Sequence, residues 1–396
     1  MNIRAFLYSV VGVLCICLLL FFLLVAYGAI IAIFIFIFFI FLCEVIFRIL
    51  YRIKTGKRYV MIPKIPFADI YVEPHPYLPY VTKKNFITPK TTSAQYPLNR
   101  DKKYVFGRYL TNSMGYINGP KGNREIIVPK PEGLIRINCL GASTTGNYLD
   151  FDGKNFSYPL ELEKILKKEF PEKNIEVNNC GVGGRTSAEI LIDFALNIID
   201  TKPDIIVIYH GYTDLAPSIT RNFRSDYSHA KRNLGEVWHY YKIASMVPSV
   251  PLASYNFIVN KLFGYNIRNS LLNAISRGKI DLSSAFNGIQ TYRRNIEHIV
   301  NLCKANGINV VLSTFCHYMY DDIKNSRIHI KYKEGVLMEN EAIRDIALKN
   351  SIILVDNYRL FRYEEKYFVD SIHFSPEGMN LLASNISKAL IPLLER

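Results

Sequence analysis

Leu134-Ile135-Arg136-Ile137-Asn138-Cys139-Leu140-Gly141-Ala142-Ser143-Thr144-Thr145 is an apolar-rich run that stops at a glycine, a small residue and three hydroxyl side chains. The run reads as a strand over Leu134–Leu140, and Gly141 permits a tight turn at its carboxyl end. The same join recurs twice. A strand over Ile175–Asn178 runs into Asn179-Cys180-Gly181-Val182-Gly183-Gly184, and one over Asp204–Tyr209 runs into Gly211-Tyr212-Thr213-Asp214. Helical spacing near Tyr158–Phe170 and Ser187–Ile199 separates the three, giving a βαβαβ rhythm. Further on come a helix over Ser284–Ala305, a strand over Ile308–Ser313, a helix near Lys333–Lys349, a strand over Ile352–Val355 and a last helix from about Pro376 to Leu394. Continuous apolar runs such as Ile205-Ile206-Val207-Ile208 suit a sheet covered on both faces. With right-handed crossovers, the prediction is a five-stranded parallel sheet inside a three-layer α/β/α sandwich. In such sheets the ligand crevice lies outside the carboxyl ends of the strands, where these three blocks fall.

The chain has 396 residues, and none from Ala5 to Cys43 is charged. At about 1.5 Å per residue, a helix that long spans nearly twice a hydrocarbon core of about 30 Å. The run predicts a transmembrane segment at residues 1–58, arranged as a helical hairpin turning near Tyr27-Gly28. A cleaved signal peptide needs only about 7–15 apolar residues. Arg4 precedes the run, and Arg48, Arg52, Lys54, Lys57 and Arg58 follow it, so both ends carry the positive charge of a cytoplasmic flank. A hairpin satisfies both flanks. A single tilted helix satisfies only one, and the side on which the rest of the chain lies stays open. Residues 59–132, rich in Pro, Tyr and Lys, read as an extended connector. Tyr71, Tyr77, Leu78, Tyr80 and Val81 give it enough apolar surface to pack on the domain at 133–396.

The formal charge of +14 comes from dispersed Lys and Arg without a nucleic-acid motif, so a membrane surface is the expected partner and nucleic acid is not. Of seven cysteines, Cys15, Cys17 and Cys43 lie in or beside the apolar run. Cys139 and Cys180 end two neighbouring strands, where buried free thiols are expected in preference to a bridge, and no cysteine spacing suits a metal.

A fourth block, Asp370-Ser371-Ile372-His373, sits in a loop entering the last helix, with Ser375 as N-cap and Pro376 in the first turn. A serine hydroxyl is a poor nucleophile until a base, an orienting carboxylate and an oxyanion site surround it, and the four blocks hold residues able to supply all of these. In their order and setting they resemble the SGNH/GDSL hydrolase superfamily, serine esterases and acylhydrolases on a flavodoxin-like α/β/α sandwich. The resemblance covers roughly residues 134–396. Upstream, His75-Pro76-Tyr77-Leu78-Pro79-Tyr80-Val81 and Thr111-Asn112-Ser113-Met114-Gly115-Tyr116 resemble the region that precedes this domain in bacterial membrane-anchored members, many of them associated with envelope polysaccharide.

The resemblance implies a nucleophile at Ser143, a base at His373 and its orienting carboxylate at Asp370. It implies oxyanion donors at the Ser143 and Gly184 backbone N–H groups, and it calls for no metal or organic cofactor. Two departures stand out. Ala142 replaces the Asp that commonly precedes the nucleophile, which removes no group needed for attack. In the third block Thr213 replaces the oxyanion-donating Asn, and a hydroxyl is a shorter donor than an amide. His210 and His317, at or near strand ends, are candidates to contact substrate oxygens.

About 70 residues over 215–283 interrupt the alternation, longer than an ordinary connection, and read as a cap. There Tyr227, Trp238, Tyr240 and Tyr241 with Arg224, Lys231 and Arg232 offer a sugar-stacking surface, a membrane contact or lid packing. Three functional readings follow. One is an esterase acting on acylated carbohydrate or lipid, the second an O-acyltransferase to glycans, and the third a binding protein whose catalysis Thr213 has weakened.

Overall fold

A computed structural model of the chain describes residues 3–55, 71–87, 98, 105–106, 110–146, 149–151, 154–235, 278 and 280–395. The chain divides into two compact units, Met1–Lys64 with Ser245–Ser270 and Ile65–Ala244 with Leu271–Arg396.

In the first unit helix α1 runs unbroken over Ile3–Thr55. Its segment Gly12–Leu50, 39 residues, is long and apolar enough to cross a membrane. The hairpin turn expected at Tyr27-Gly28 is absent. A single helical glycine costs about 1 kcal/mol relative to alanine, whereas reversing the chain would open several backbone hydrogen bonds. Ala26 and Ala29 flank the glycine and favour continuation. Phe34, Phe36, Phe38 and Phe39 are exposed along this helix.

The second unit is built on five parallel strands, β1 (Leu134–Leu140), β2 (Asn174–Asn179), β3 (Ile205–Tyr209), β4 (Asn309–Ser313) and β5 (Ile353–Val355). Their spatial order is β5-β4-β3-β1-β2, the flavodoxin-like order, with every pair parallel. Successive side chains of a strand face opposite ways, and β3 divides accordingly. Ile205, Val207 and Tyr209 enter one core with Leu162 and Leu166 of α2 (Tyr158–Glu169) and Leu382 and Ile386 of the last helix, Pro376–Leu394. Ile206 and Ile208 enter the other core with Ile190 of α3 (Ser187–Asp193), Ile296 and Ile299 of α4 (Ile289–Ala305), and Ile343 and Ile346 of α5 (Arg327–Asn350). The sandwich is therefore the predicted one.

Two helix starts differ by five or six positions for visible reasons, and the helix expected over Ser187–Ile199 continues past Asp193 in a wider turn over Phe194–Ile198. Helix α4 starts five positions after Ser284, because Asp281 accepts the backbone N–H and hydroxyl of Ser283 and holds a turn instead. Helix α5 starts at Arg327, six positions before Lys333, with the Ile330 N–H already bonded to the Ser326 carbonyl. The last helix, α6, starts where Ser375 Oγ accepts the Gly378 N–H at 3.2 Å and Pro376 follows.

Upstream of β1, Val72–Glu73 and Val81–Thr82 pair as an antiparallel hairpin, and Val72, Leu78 and Tyr80 are buried. Tyr116 Oη donates to Asp193 at 2.7 Å, and Asn118 Nδ2 to Asn178 at 2.7 Å. Residues 59–70 and most of 88–109 of the connector lie outside the described residues, as do residues 236–277 of the insertion with Trp238, Tyr240 and Tyr241. The described start of that insertion folds inward. Tyr227 is buried and donates to Asp214 at 2.7 Å, while Arg224 and Arg232 are exposed. All seven cysteines are free thiols, and burial pushes Cys139 up to about 12.

Candidate active site

Ser143 opens a one-turn helix, Ser143–Gly146, directly after β1. It thus stands where the strand order reverses between β1 and β3, the switch point at which open parallel sheets form a crevice. Thr145 Oγ1 donates to the Tyr209 carbonyl at 3.1 Å, tying the first block to β3. The first and second blocks cross at Gly146 and Gly181. A Cβ on Gly146 would lie 2.6 Å from the Gly181 carbonyl oxygen, and one on Gly181 would overlap the Gly146 nitrogen. Only glycine at both positions permits that approach.

His373 lies 230 positions downstream of Ser143, yet its Nε2 is 2.9 Å from Ser143 Oγ. On the other side of the ring, Nδ1 is 2.7 Å from Asp370 Oδ2. Asp370 Oδ1 accepts the backbone N–H groups of Ile372 and His373 at 2.9 and 2.7 Å. A proton on Nδ1 facing the carboxylate leaves the Nε2 lone pair directed at the serine hydroxyl. Burial works to raise the Asp370 carboxyl, but the adjacent His373 and the two backbone donors outweigh it and hold the group below its ordinary value. Burial likewise works to lower His373, and the Asp370 charge and hydrogen bond outweigh it, so the imidazole lies above its ordinary value.

Two loops flank Ser143. Gly184 has φ +76°, a left-handed conformation that favours glycine. The Gly183 carbonyl accepts Tyr80 Oη at 2.5 Å, and the Gly184 carbonyl accepts Lys231 Nζ at 2.6 Å. Gly183 itself is close to the serine, since a Cβ there would lie 3.8 Å from Ser143 Cβ. In the third block the Thr213 hydroxyl donates to the Arg185 carbonyl at 2.7 Å, so its one proton is engaged there. Tyr212, with φ +69°, donates its N–H to Glu339 Oε2 at 2.8 Å.

His210 is buried beneath this block, its Nε2 bonded to Asp214 at 2.8 Å and its ring stacked on Tyr292, so it does not face the crevice. Asp214 also accepts the N–H and hydroxyl of Ser187 and the Tyr227 hydroxyl. Burial works to raise Asp214, and its bonds from His210, Ser187 and Tyr227 outweigh it and lower it. Glu339, completely buried, is pushed well above the usual carboxylate range by burial and by the nearby Asp214. His317 has both ring nitrogens buried without a protein partner; it lies beside Tyr212 and His329, and burial pushes it down to about 4.

Tyr80 of the connector and Lys231 of the cap reach the second block, which the sequence pattern does not announce, and His329 and Glu339 are site neighbours that no motif reveals. For Glu339 a signal exists: it falls between Tyr332, Val336, Ile343 and Ile346, on the apolar face of α5 at helical spacing.

The GDSL-like lipase/acylhydrolase family model matches residues 139–381. The chain belongs to this family, and it is a carboxylic ester hydrolase. Similar solved structures include a GDSL-like lipase from Bacteroides thetaiotaomicron, at 17% identity over 65% of this chain and 88% of that one, with a TM-score of 0.38. A lipase/acylhydrolase from Enterococcus faecalis is similar at 18% identity over 65% and 95%, with a TM-score of 0.38. Axe2, an acetylxylan esterase from Geobacillus stearothermophilus, is similar at 15% identity over 65% and 94%, with a TM-score of 0.40. No curated protein matches the chain.

Proposed function

We propose that the chain cleaves acyl esters of carbohydrate or lipid through a covalent acyl-enzyme on Ser143. The observation that carries this reading is the unbroken hydrogen-bonded line from Ser143 Oγ through the His373 ring to Asp370. Ser143 attacks the ester carbonyl as His373 Nε2 takes its proton. The same nitrogen then returns the proton to the departing alcohol. Asp370 keeps the ring in the required tautomer and stabilises the imidazolium. A water molecule, activated by His373, releases the acid and restores the serine. The Ser143 and Gly184 backbone N–H groups are the proposed oxyanion donors. Thr213 can join them only by giving up its bond to the Arg185 carbonyl. His317, unpartnered and beside the third block, is the proposed contact for the substrate's alcohol portion, and His210 has no such place.

Helix α1 is proposed as a membrane anchor. Its exposed Phe and Leu side chains over Gly12–Leu50 suit lipid, and at about 1.5 Å per residue the segment exceeds the hydrocarbon thickness. A tilted or partly interfacial single helix accommodates that excess.

The test is active-site labelling of the full-length chain in detergent with a fluorophosphonate. Label is expected on Ser143 and absent in Ser143→Ala, with ester hydrolysis falling by at least about 10³-fold in that variant. An unlabelled, folded wild-type protein would sink the proposal. Because His373 must be neutral to act and is raised above its ordinary value, the acidic limb of kcat/KM is expected above about pH 6.5. Asp370→Asn should move that limb to lower pH while reducing the rate.

A further inference from the structure

We infer that Tyr80, from the segment upstream of the family-matched region, is a positioning residue that sets the direction of the Gly184 N–H. The inference rests on the reading of that N–H as an oxyanion donor. The carbonyl of Gly183 and the N–H of Gly184 belong to one peptide unit. In a planar trans peptide the two point in opposite directions, so fixing one fixes the other. Tyr80 Oη donates to that carbonyl at 2.5 Å. The ring is 2% exposed, and burial pushes the phenol well above its ordinary value, so it stays a donor at all working pH values.

External bracing matters here because a Gly-Gly peptide has little steric preference of its own and can rotate into either orientation. A second brace acts on the next peptide, where Lys231 Nζ donates to the Gly184 carbonyl at 2.6 Å and pairs with Glu189 at 3.0 Å. The two braces are joined to each other. The Leu234 N–H donates to the Pro79 carbonyl at 2.6 Å, and Asn233 Nδ2 donates to the carbonyls of His75 and Leu78 at 3.1 and 3.2 Å. Residues 75–80 and 231–234 thus form one clamp on the Gly183-Gly184 loop. Each hydrogen bond accepted by a peptide carbonyl also polarises its N–H, strengthening it as a donor.

The experiment compares full-length wild type, Tyr80→Phe and Lys231→Met on ethyl acetate and on its thionoester analogue O-ethyl thioacetate. Sulfur is a weaker hydrogen-bond acceptor than oxygen, so the ratio of the two rates reports the oxyanion contact directly. In Tyr80→Phe, kcat on ethyl acetate should fall about 10- to 100-fold, less than the ~10²–10³ of a donor lost outright, with KM within about twofold. The oxygen-to-sulfur rate ratio should narrow at the same time. Lys231→Met, altering a different segment, should move the same two quantities in the same direction and serves if Tyr80→Phe does not fold. A kcat within twofold of wild type, or a loss in which KM and Tm change while the ratio does not, overturns the inference. Turnover that persists in Ser143→Ala would instead overturn the active-site reading on which it rests.

Discussion

The loops on either side of the Ser143 hydroxyl are braced in contrasting ways. The Gly183-Gly184 loop has no side chains of its own and is held through its carbonyls by Tyr80 and Lys231. The Tyr212-Thr213 loop is held from below through the Tyr212 N–H by Glu339, and its one hydroxyl is turned to the Arg185 carbonyl. In the proposed function the first arrangement leaves the Gly184 N–H to the oxyanion, whereas the second commits the Tyr212 N–H and the Thr213 hydroxyl inward. On that proposal the oxyanion's amide donor comes from the second block, and the third block contributes shape more than charge stabilisation.

Substitutions can break this contrast. The largest effect is expected from Gly184→Val, which places a β-branched residue at φ +76° and turns the peptide away. The variant should lose about 10²–10³ in kcat with KM little changed, measured on ethyl acetate. A smaller effect of opposite sign is expected from Thr213→Asn, which gives the third loop an amide with two protons. With one proton spared for the crevice, kcat should rise up to about tenfold, while Thr213→Val should stay within about threefold of wild type. A large loss in Thr213→Val would show that its hydroxyl already serves the reaction and erase the contrast.

The smallest effect on rate is expected from Glu339→Gln, which keeps an acceptor for the Tyr212 N–H; kcat should stay within about threefold. Its signature is in stability. Glu339 has a folded-state value raised above the unfolded one, so above the unfolded value near 4.5 the native chain binds more protons than the unfolded chain. Stability from this group therefore falls as pH rises through that range toward the raised value. Glu339→Gln removes this dependence, and its Tm should exceed that of wild type increasingly between pH 5 and 8 in thermal melts.

The sandwich was legible because its signals are local: apolar runs ending in glycine-rich turns repeat along the chain, and each strand alternates its faces. The residues facing one another across the crevice were legible through short motifs, since Asp370 and His373 need only three positions to share a loop. What the sequence did not disclose depends on distant pairing. Nothing in the run His75 to Tyr80 announces that a phenol will reach a carbonyl 103 positions away. His329 was hidden because α5 begins six positions before Lys333, although Ile328, four positions before Tyr332 and packed on the same core, continues the apolar spacing backwards. Helix α1 shows the converse, for Gly28 read as a turn signal where an apolar helix passes straight through it. Thr213 stands out in the sequence as a departure, but the direction of its hydroxyl is set by the Arg185 carbonyl, 28 positions away.

The crossing of Gly146 over Gly181 carries a consequence for how such a protein can diversify. The gap between the loop that carries Ser143 and the second loop is set by two main chains in close approach, not by any side chain that mutation could lengthen. Cap and rim can therefore drift to admit new alcohols or acids while the reaction coordinate keeps the same ruler.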